Sequence, residues 1–546
     1  MATSATSKGP VGGGGGDRVF LRKASGLIKT ASTTDVLIYN VGVVSIGIGI
    51  GGLLLYGPAV YPGGDLVLGV IIAGAVMSLI AAGMLCWTVT IPRSGGIYPF
   101  GSRILPPPIA FMLSVVESIA WLFFCGIAAY WVVTIGLIPT FTVLAVQTDS
   151  TAMTDIADFL AKQWVTFIIG ALILLAAGGI LGSGMRRYFF SQKVVIALAG
   201  VGTLILFAVM LFGSRGTFVS HFNSDFGPDV TYAGVIASAK EGGWVDTGFD
   251  LGQTLKASNW AFLPLVGAAF SICIGGEIKS GMRGQTIGMF GAIWLSTLAF
   301  LIAVLLGKSV FGYEFLGAAG YNSLGFATAG DALTTPTTPW ITLLAGILTD
   351  SAVVTVLVSL GFVAWIWMWI PAMQAYGERA MIAWAFDRVA PGPLGTVSDR
   401  FHSPIVAIGV ATVVTIGFLA LFVWSTYFGT LTLFLMIALG AWAIVLAAGA
   451  VFPYKRPDLY QKSPIANRKL FGLPIMVPAC IAGFLAAVFY FFVLFFDDFA
   501  AGHDGGKLGI MAGCFAGGLL FFYVMKQYRK SQGVDVDLAF KEIPIE

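Results

Sequence analysis

Twelve apolar stretches recur along this chain of 546 residues, at approximately 37–57, 66–90, 109–138, 164–182, 189–213, 261–278, 287–311, 341–370, 404–424, 430–452, 474–497 and 507–527. Each is roughly the 20 residues a helix needs to cross a bilayer. Hydrocarbon offers no water to satisfy backbone N–H and C=O groups, so a spanning segment of this kind must be helical. The chain is 57% hydrophobic and 10% charged, against about 25% charged in soluble domains. These features predict an all-α integral membrane protein with 12 transmembrane helices.

The charges set an expected orientation. With the N-terminus in the cytoplasm, all but six of the 30 Lys and Arg fall in cytoplasmic segments; the outer six are Lys162, Arg215, Lys240, Lys256, Lys308 and Lys507. That asymmetry predicts a multi-pass protein of the cell membrane with both termini cytoplasmic. The basic residues then act as topology determinants in contact with the lipid bilayer, and no nucleic-acid partner is expected. Residues 1–36 read as a tail with a flexible linker at Gly12–Gly16 and a surface-lying segment at Arg18–Lys29; residues 528–546 form a second tail. All five cysteines lie in predicted spans, so no disulfide scaffold is implied. His221, His402 and His503 fall in loops, and no H-E-x-x-H or G-x-S-x-G motif or metal cluster occurs, so neither an enzyme nor a metal cofactor is expected.

Gly47, Gly49, Gly51 and Gly52 lie within the first span. Each Gly costs roughly 1 kcal/mol relative to Ala in a helix, so the run predicts either a break partway across the membrane or close packing between helices. The sixth span carries a matching feature, Pro264 and Gly267 followed by Ala268–Ala269. Proline removes a backbone donor and clashes with the preceding turn. Two interrupted spans five apart favour a break at Gly47–Gly52 over packing and predict a fold of two inverted repeats, helices 1–5 (37–213) and 6–10 (261–452), joined by an outer loop (214–260) and followed by two helices (453–527). The outer loop and the one at 312–340 are long enough to cover the outer mouth, as lids or as a passive surface. Two intramembrane acids extend the symmetry. Glu117 in span 3 and Asp350 in span 8 are each expected roughly 12–14 Å deep, from opposite faces. Acids at that depth face a cavity or a partner.

The loops carry motifs. After span 2 comes Pro92-Arg93-Ser94-Gly95-Gly96-Ile97-Tyr98, then Ser102-Arg103. After span 6 comes Glu277-Ile278-Lys279, with Arg283 further on. After span 8 come Arg379-Ala380-Met381, Ala385 to Pro391 and His402-Ser403-Pro404, and after span 10 Pro457-Asp458-Leu459. Gly95–Gly96 suits a turn with positive φ. Arg93, Arg103, Lys279, Arg283, Arg379 and Arg388 are placed to pair with Glu277, Glu378 and Asp387 as an inner gate, or to serve as ordinary orientation charges.

In order and position these motifs resemble those of the amino acid–polyamine–organocation superfamily of amino acid permeases. Ser280 and Gly281 stand where that family has Asn and Pro. The resemblance implies a five-plus-five inverted repeat with helices 1 and 6 unwound around the substrate. It implies a carboxylate held by amides of the first break and an ammonium held by carbonyls, which agrees with the dipoles of half-helices. Ile50, Gly51 and Gly52 are the expected amide contacts within Gly47–Gly52. Leu265-Val266-Gly267 aligns with the family's F-x-G, and Ala268 replaces a bulky aromatic gate, with Phe270 and Trp260 as substitutes.

The coupling ion stays open. Span 5 has Ala199 where some proton-coupled relatives place Lys. Ser351, Thr355 and Ser359 share a helical face suited to Na⁺, while Glu117 or Asp350 suits a proton; exchange or facilitated transport needs neither. The expected function is thus a secondary transporter of amino acids or related amines by alternating access. The alternative is a non-transporting amino-acid sensor or accessory subunit of the same fold. The identity of the amino acid or amine and the oligomeric state are not encoded legibly.

Overall fold

The computed structural model describes residues 27–327, 332–425, 431–533 and 536. The expected linker and most of the N-terminal surface segment lie outside them, as does most of the C-terminal tail. Helix α1 (Thr33–Val44) starts at a capping box: Ser32 Oγ accepts from the Asp35 N–H, and Asp35 accepts from the Ser32 N–H. It stops at Ser45, which adopts a left-handed conformation at φ 51° and ψ 73°. Helix α2 (Ile46–Val60) continues the crossing. Asp65 caps α3 (Leu66–Thr90) through the N–H groups of Val67 and Leu68. A short α4 (Tyr98–Gly101) precedes α5 (Pro107–Trp131), which runs through a π turn into α6 (Ile138–Thr148).

A surface helix α7 (Thr151–Leu160) is followed by the spans α8 (Gln163–Gly182) and α9 (Met185–Phe212). The long loop then folds into α10 (Arg215–Phe226), α11 (Tyr232–Glu241) and α12 (Leu251–Ala257). Helix α13 (Asn259–Leu265) passes directly into a 3₁₀ segment, Val266–Cys273. Then come α14 (Gly281–Val310), α15 (Tyr313–Ser323), α16 (Ile341–Thr349), α17 (Ala352–Phe386), α18 (Ile405–Trp424), α19 (Leu431–Lys455) and α20 (Pro457–Tyr460). A two-stranded hairpin, β1 (Lys469–Leu470) and β2 (Leu473–Pro474), leads to α21 (Met476–Phe495) and α22 (Gly505–Ser531).

Counting α1–α2 as one crossing and α5–α6 as another, eleven helices among the described residues are long and apolar enough to span a membrane. The sixth apolar stretch of the sequence is the exception. It is divided between α13 and the 3₁₀ segment, because Pro264 and Gly267 weaken the α-helical ladder there. The eighth stretch also departs from expectation. It does not form one span from 341 to 370: α16 ends at Asp350, whose φ is 46°, and α17 starts two residues later and runs on to Phe386. The polar triplet Thr349-Asp350-Ser351 interrupts the helix, so the real crossing lies later in the sequence.

The helix pair α1–α2, the 3₁₀ segment, α17 and α5 form the centre. Outer helices shield them and turn unpartnered apolar side chains outward, as α9 does with Phe190, Val194, Val201 and Leu204. Exposed rows of this kind suit contact with lipid. Within the long loop, Trp244 is buried, donates to the Pro58 carbonyl at 3.2 Å, and so covers the end of α2. Arg93, Arg103 and Arg379, with Arg186, Arg187 and Arg400 close by, lie at one end of the bundle, the basic end.

Candidate functional site

The break in the first span falls at Ser45, before the glycine run. The Ser45 N–H bonds Val41 O, closing α1, and Ser45 O accepts from Gly49 as α2 begins. Ser45 Oγ donates to the Trp365 carbonyl at 3.0 Å, tying the break to α17. A first helical turn has amides without intrahelical acceptors, and no side chain caps α2. The amides of Ile46, Gly47 and Ile48 therefore have no acceptor within the helix, and all three residues are buried. Ile50, Gly51 and Gly52, the expected contacts, lie inside the helix with their amides committed to its ladder.

The glycines instead seat aromatic rings. A Cβ on Gly47 would lie 2.7 Å from the Trp365 ring, and one on Gly51 would lie 2.7 Å from the Trp340 ring. Gly49 faces Phe300 and Pro264, and Gly52 faces Trp260. Close approach, and not helix breaking, accounts for this composition.

The two interruptions meet. A Cβ on Gly267 would stand 2.6 Å from the carbonyl carbon and oxygen of Val43. Around this contact lies a narrow cavity of about 10 Å³, room for little more than one water. Val43, Pro264, Val266 and Gly267 supply its backbone side; Trp121 and Phe124 of α5, Trp369 and Met373 of α17, and Phe270 close it. No ionisable side chain lines it. Leu265 and Ala268, expected at the site, are buried but do not line it. Of the two proposed substitutes for the missing aromatic, Phe270 lies in the wall, with its ring centroid 4.6 Å from that of Trp121. Trp260 lies toward the opposite end, stacked on Tyr56 at 4.0 Å. The wall residues of α5 and α17 gave no distinguishing sequence signal, because aromatic residues are frequent in every span.

Glu117 is wholly buried one helical turn from Trp121. Its Oε1 accepts from Tyr376 Oη and from Trp442 Nε1, both at 2.5 Å. Tyr376 packs on Phe270, with centroids 5.1 Å apart, so a single aromatic layer separates the carboxyl from the cavity. Asp350 does not mirror it. It is an exposed residue in the α16–α17 turn, and the symmetry argued from these two acids fails.

The hydroxyls of Ser351, Thr355 and Ser359 also lie away from the break. Thr355 Oγ1 donates to Gln147 Oε1 at 3.1 Å. The part of α17 beside Ser45 is Trp365, with Met368 and Trp369 next to Gly42 and Val43. Ser359 is six residues short of that position, roughly 9 Å along the helix.

At the basic end lie buried ion pairs. Arg379 Nε and Nη2 reach Glu277 Oε1 and Oε2 at 3.0 and 3.2 Å, and Arg379 also pairs with Glu378. Arg103 makes two bonds to Asp387, at 3.0 and 3.2 Å. Both bidentate pairs are about 1% exposed. Lys279 is exposed, and Arg93 lines a narrow neighbouring cleft of about 20 Å³ with Tyr98 and Asp387. Backbone bonds join the same elements: Thr30 and Ala31 donate to Glu277 O, and Gly95 donates to Cys273 O at 3.0 Å. Gly95 and Gly96 take positive φ, 127° and 64°, so the turn can lie against Tyr376. At the opposite end, Tyr56, Trp260, Trp340 and Phe499 form an aromatic cover.

Long apolar helices around an interrupted pair, with a narrow cavity where the interruptions touch, define a multi-pass membrane protein. Residues 32–520 match the family described as amino acid permease, and the chain belongs to it, within the amino acid–polyamine–organocation superfamily. It is a membrane-embedded transporter of amino acids. No curated protein was found to match the chain.

Proposed function

We propose that the chain is a secondary transporter of neutral amino acids with apolar side chains, working by alternating access. The observation that carries this reading is the cavity at the Val43–Gly267 contact, which has backbone polar groups on one side and only apolar or aromatic side chains elsewhere. A substrate carboxylate suits the first-turn amides of α2, where the helix dipole is positive. Its ammonium suits carbonyls at the end of α1, where the dipole is negative. The uncharged wall then disfavours a charged substrate side chain, since desolvating an unpaired charge is costly.

The α13–3₁₀ segment acts in this reading as a twelfth, broken span, and helices 1–5 and 6–10 form an inverted repeat that rocks about the cavity. The basic end faces the cytoplasm by the positive-inside rule, and the protein resides in the cell membrane. Glu117 is the favoured coupling group, with a proton as the ion, because it joins the cavity wall through Tyr376 while the hydroxyls considered for Na⁺ do not reach the break. Proteoliposomes containing the purified chain test the proposal. They are expected to accumulate leucine- or phenylalanine-like substrates when the outside is acidic. Binding without uptake or counterflow under any pH or Na⁺ gradient would overturn the transporter reading and leave a sensor.

A further inference from the structure

A second cleft, of about 280 Å³, opens at the basic end beside the buried ion pairs. Arg186 and Arg187 reach it from the start of α9, Arg400 and His402 from the α17–α18 loop, and Thr30 from the segment before α1. Arg186, Arg187 and Arg400 are exposed, and among the described residues none of the three forms an ion pair. The one acid in the wall, Glu277, is already matched by Arg379. Thr30 Oγ1 is buried there without a hydrogen-bond partner. Gly184 starts the 28-residue α9 with no side chain capping its amides, so the positive end of that helix faces the same space. Hydrogen bonds hold the two loops that frame the cleft: Ser403 Oγ bonds Leu181 O at 3.0 Å, and His402 N–H bonds Ser398 O at 2.8 Å.

We propose that this cleft binds a phosphate group at the membrane surface, held by the guanidinium groups of Arg186, Arg187 and Arg400 and the amides at the start of α9. Guanidinium forks match phosphate oxygens bidentately. Uncapped helix N-termini attract the same charge, and basic pockets between spans hold phospholipid headgroups. The bound group touches Thr30 and the back of Glu277, which a backbone bond joins at this end. It therefore favours the closed arrangement, because a ligand shifts an equilibrium toward the state it binds better.

The test uses purified full-length protein in detergent and three probes: dihexanoyl phosphatidylglycerol, dihexanoyl phosphatidylcholine as the zwitterionic control, and inorganic phosphate. The thermal midpoint should rise with the anionic probe. In R187Q/R400Q the apparent affinity should fall on the order of thirtyfold, from two basic residues near the surface. A rise with phosphatidylglycerol alone assigns the cleft to a lipid headgroup; an equal rise with inorganic phosphate assigns it to a soluble phosphate. No rise with either, or a rise unchanged in R187Q/R400Q, overturns the proposal. As a second measurement, native mass spectrometry should show anionic phospholipid retained by R468Q, an exposed basic position elsewhere, and lost from R187Q/R400Q. Equal retention in both would also overturn a lipid site.

Discussion

Gly267 rests on the carbonyl of Val43, so close that a Cβ built on it would lie 2.6 Å from that group. The contact joins the end of α1 to the 3₁₀ segment of the sixth stretch, backbone against backbone. Only a residue without a side chain permits it. The cavity exists where it does because neither segment can complete an α-helix past this point.

Gly267→Ala should therefore force the two segments apart. Overpacking of a tight site costs about 1–3 kcal/mol, and here the displaced groups are the cavity walls. Transport is expected to fall at least tenfold. Gly200→Ala, on an open face of α9, should leave it unchanged. Wild-type initial rates of uptake for Gly267→Ala would sink the assignment of the cavity.

Glu117→Gln keeps an acceptor for Tyr376 and Trp442 but carries no exchangeable acidic proton. Accumulation driven by a pH gradient should disappear, while counterflow of substrate between two equally loaded compartments persists. If gradient-driven accumulation survives in Glu117→Gln proteoliposomes, the proton does not travel by this residue.

Arg379→Gln leaves Glu277 and Glu378 buried without their cation. Breaking a buried pair on one side costs roughly 3–5 kcal/mol. The melting temperature in detergent should drop sharply, and Glu277→Gln combined with Arg379→Gln should recover part of the loss. A single variant as stable as the parent would show that the pair is not what holds the basic end shut.

Asp497 lies beyond the end of α21 and accepts from Tyr61 Oη at 2.5 Å. Burial pushes its carboxyl above the ordinary 3.8, and the Tyr61 bond offsets this only in part. A raised carboxyl binds its proton more tightly in the folded chain, so folding is favoured at acid pH. That contribution is full below the unfolded value and is lost as pH rises through the folded one. Thermal midpoints measured across the acidic range should show this decline in the parent and not in Asp497→Asn. Parallel pH profiles for the two proteins would refute the coupling.

Much of this molecule could be read from residue order. The apolar stretches located the spans, since backbone in hydrocarbon must form helices. The arginines and acids of the loops anticipated Arg379–Glu277 and Arg103–Asp387, because buried opposite charges find one another. Gly95–Gly96 announced a positive-φ turn. The register of the break could not be read in the same way. Glycine weakens a helix and also admits a neighbouring ring, and only the positions of Trp365, Phe300 and Trp340 show that the second role prevails at Gly47 to Gly52. Ser45, an ordinary residue by sequence, carries the break because the Trp365 carbonyl is there to receive its hydroxyl. Asp350 looked intramembrane by counting from a span boundary, and a left-handed turn moved that boundary. Local composition thus determined which segments cross and which charges pair. Contacts between segments distant in sequence decided where the backbone opens and what lines the cavity, because those outcomes depend on which side chains arrive from other helices.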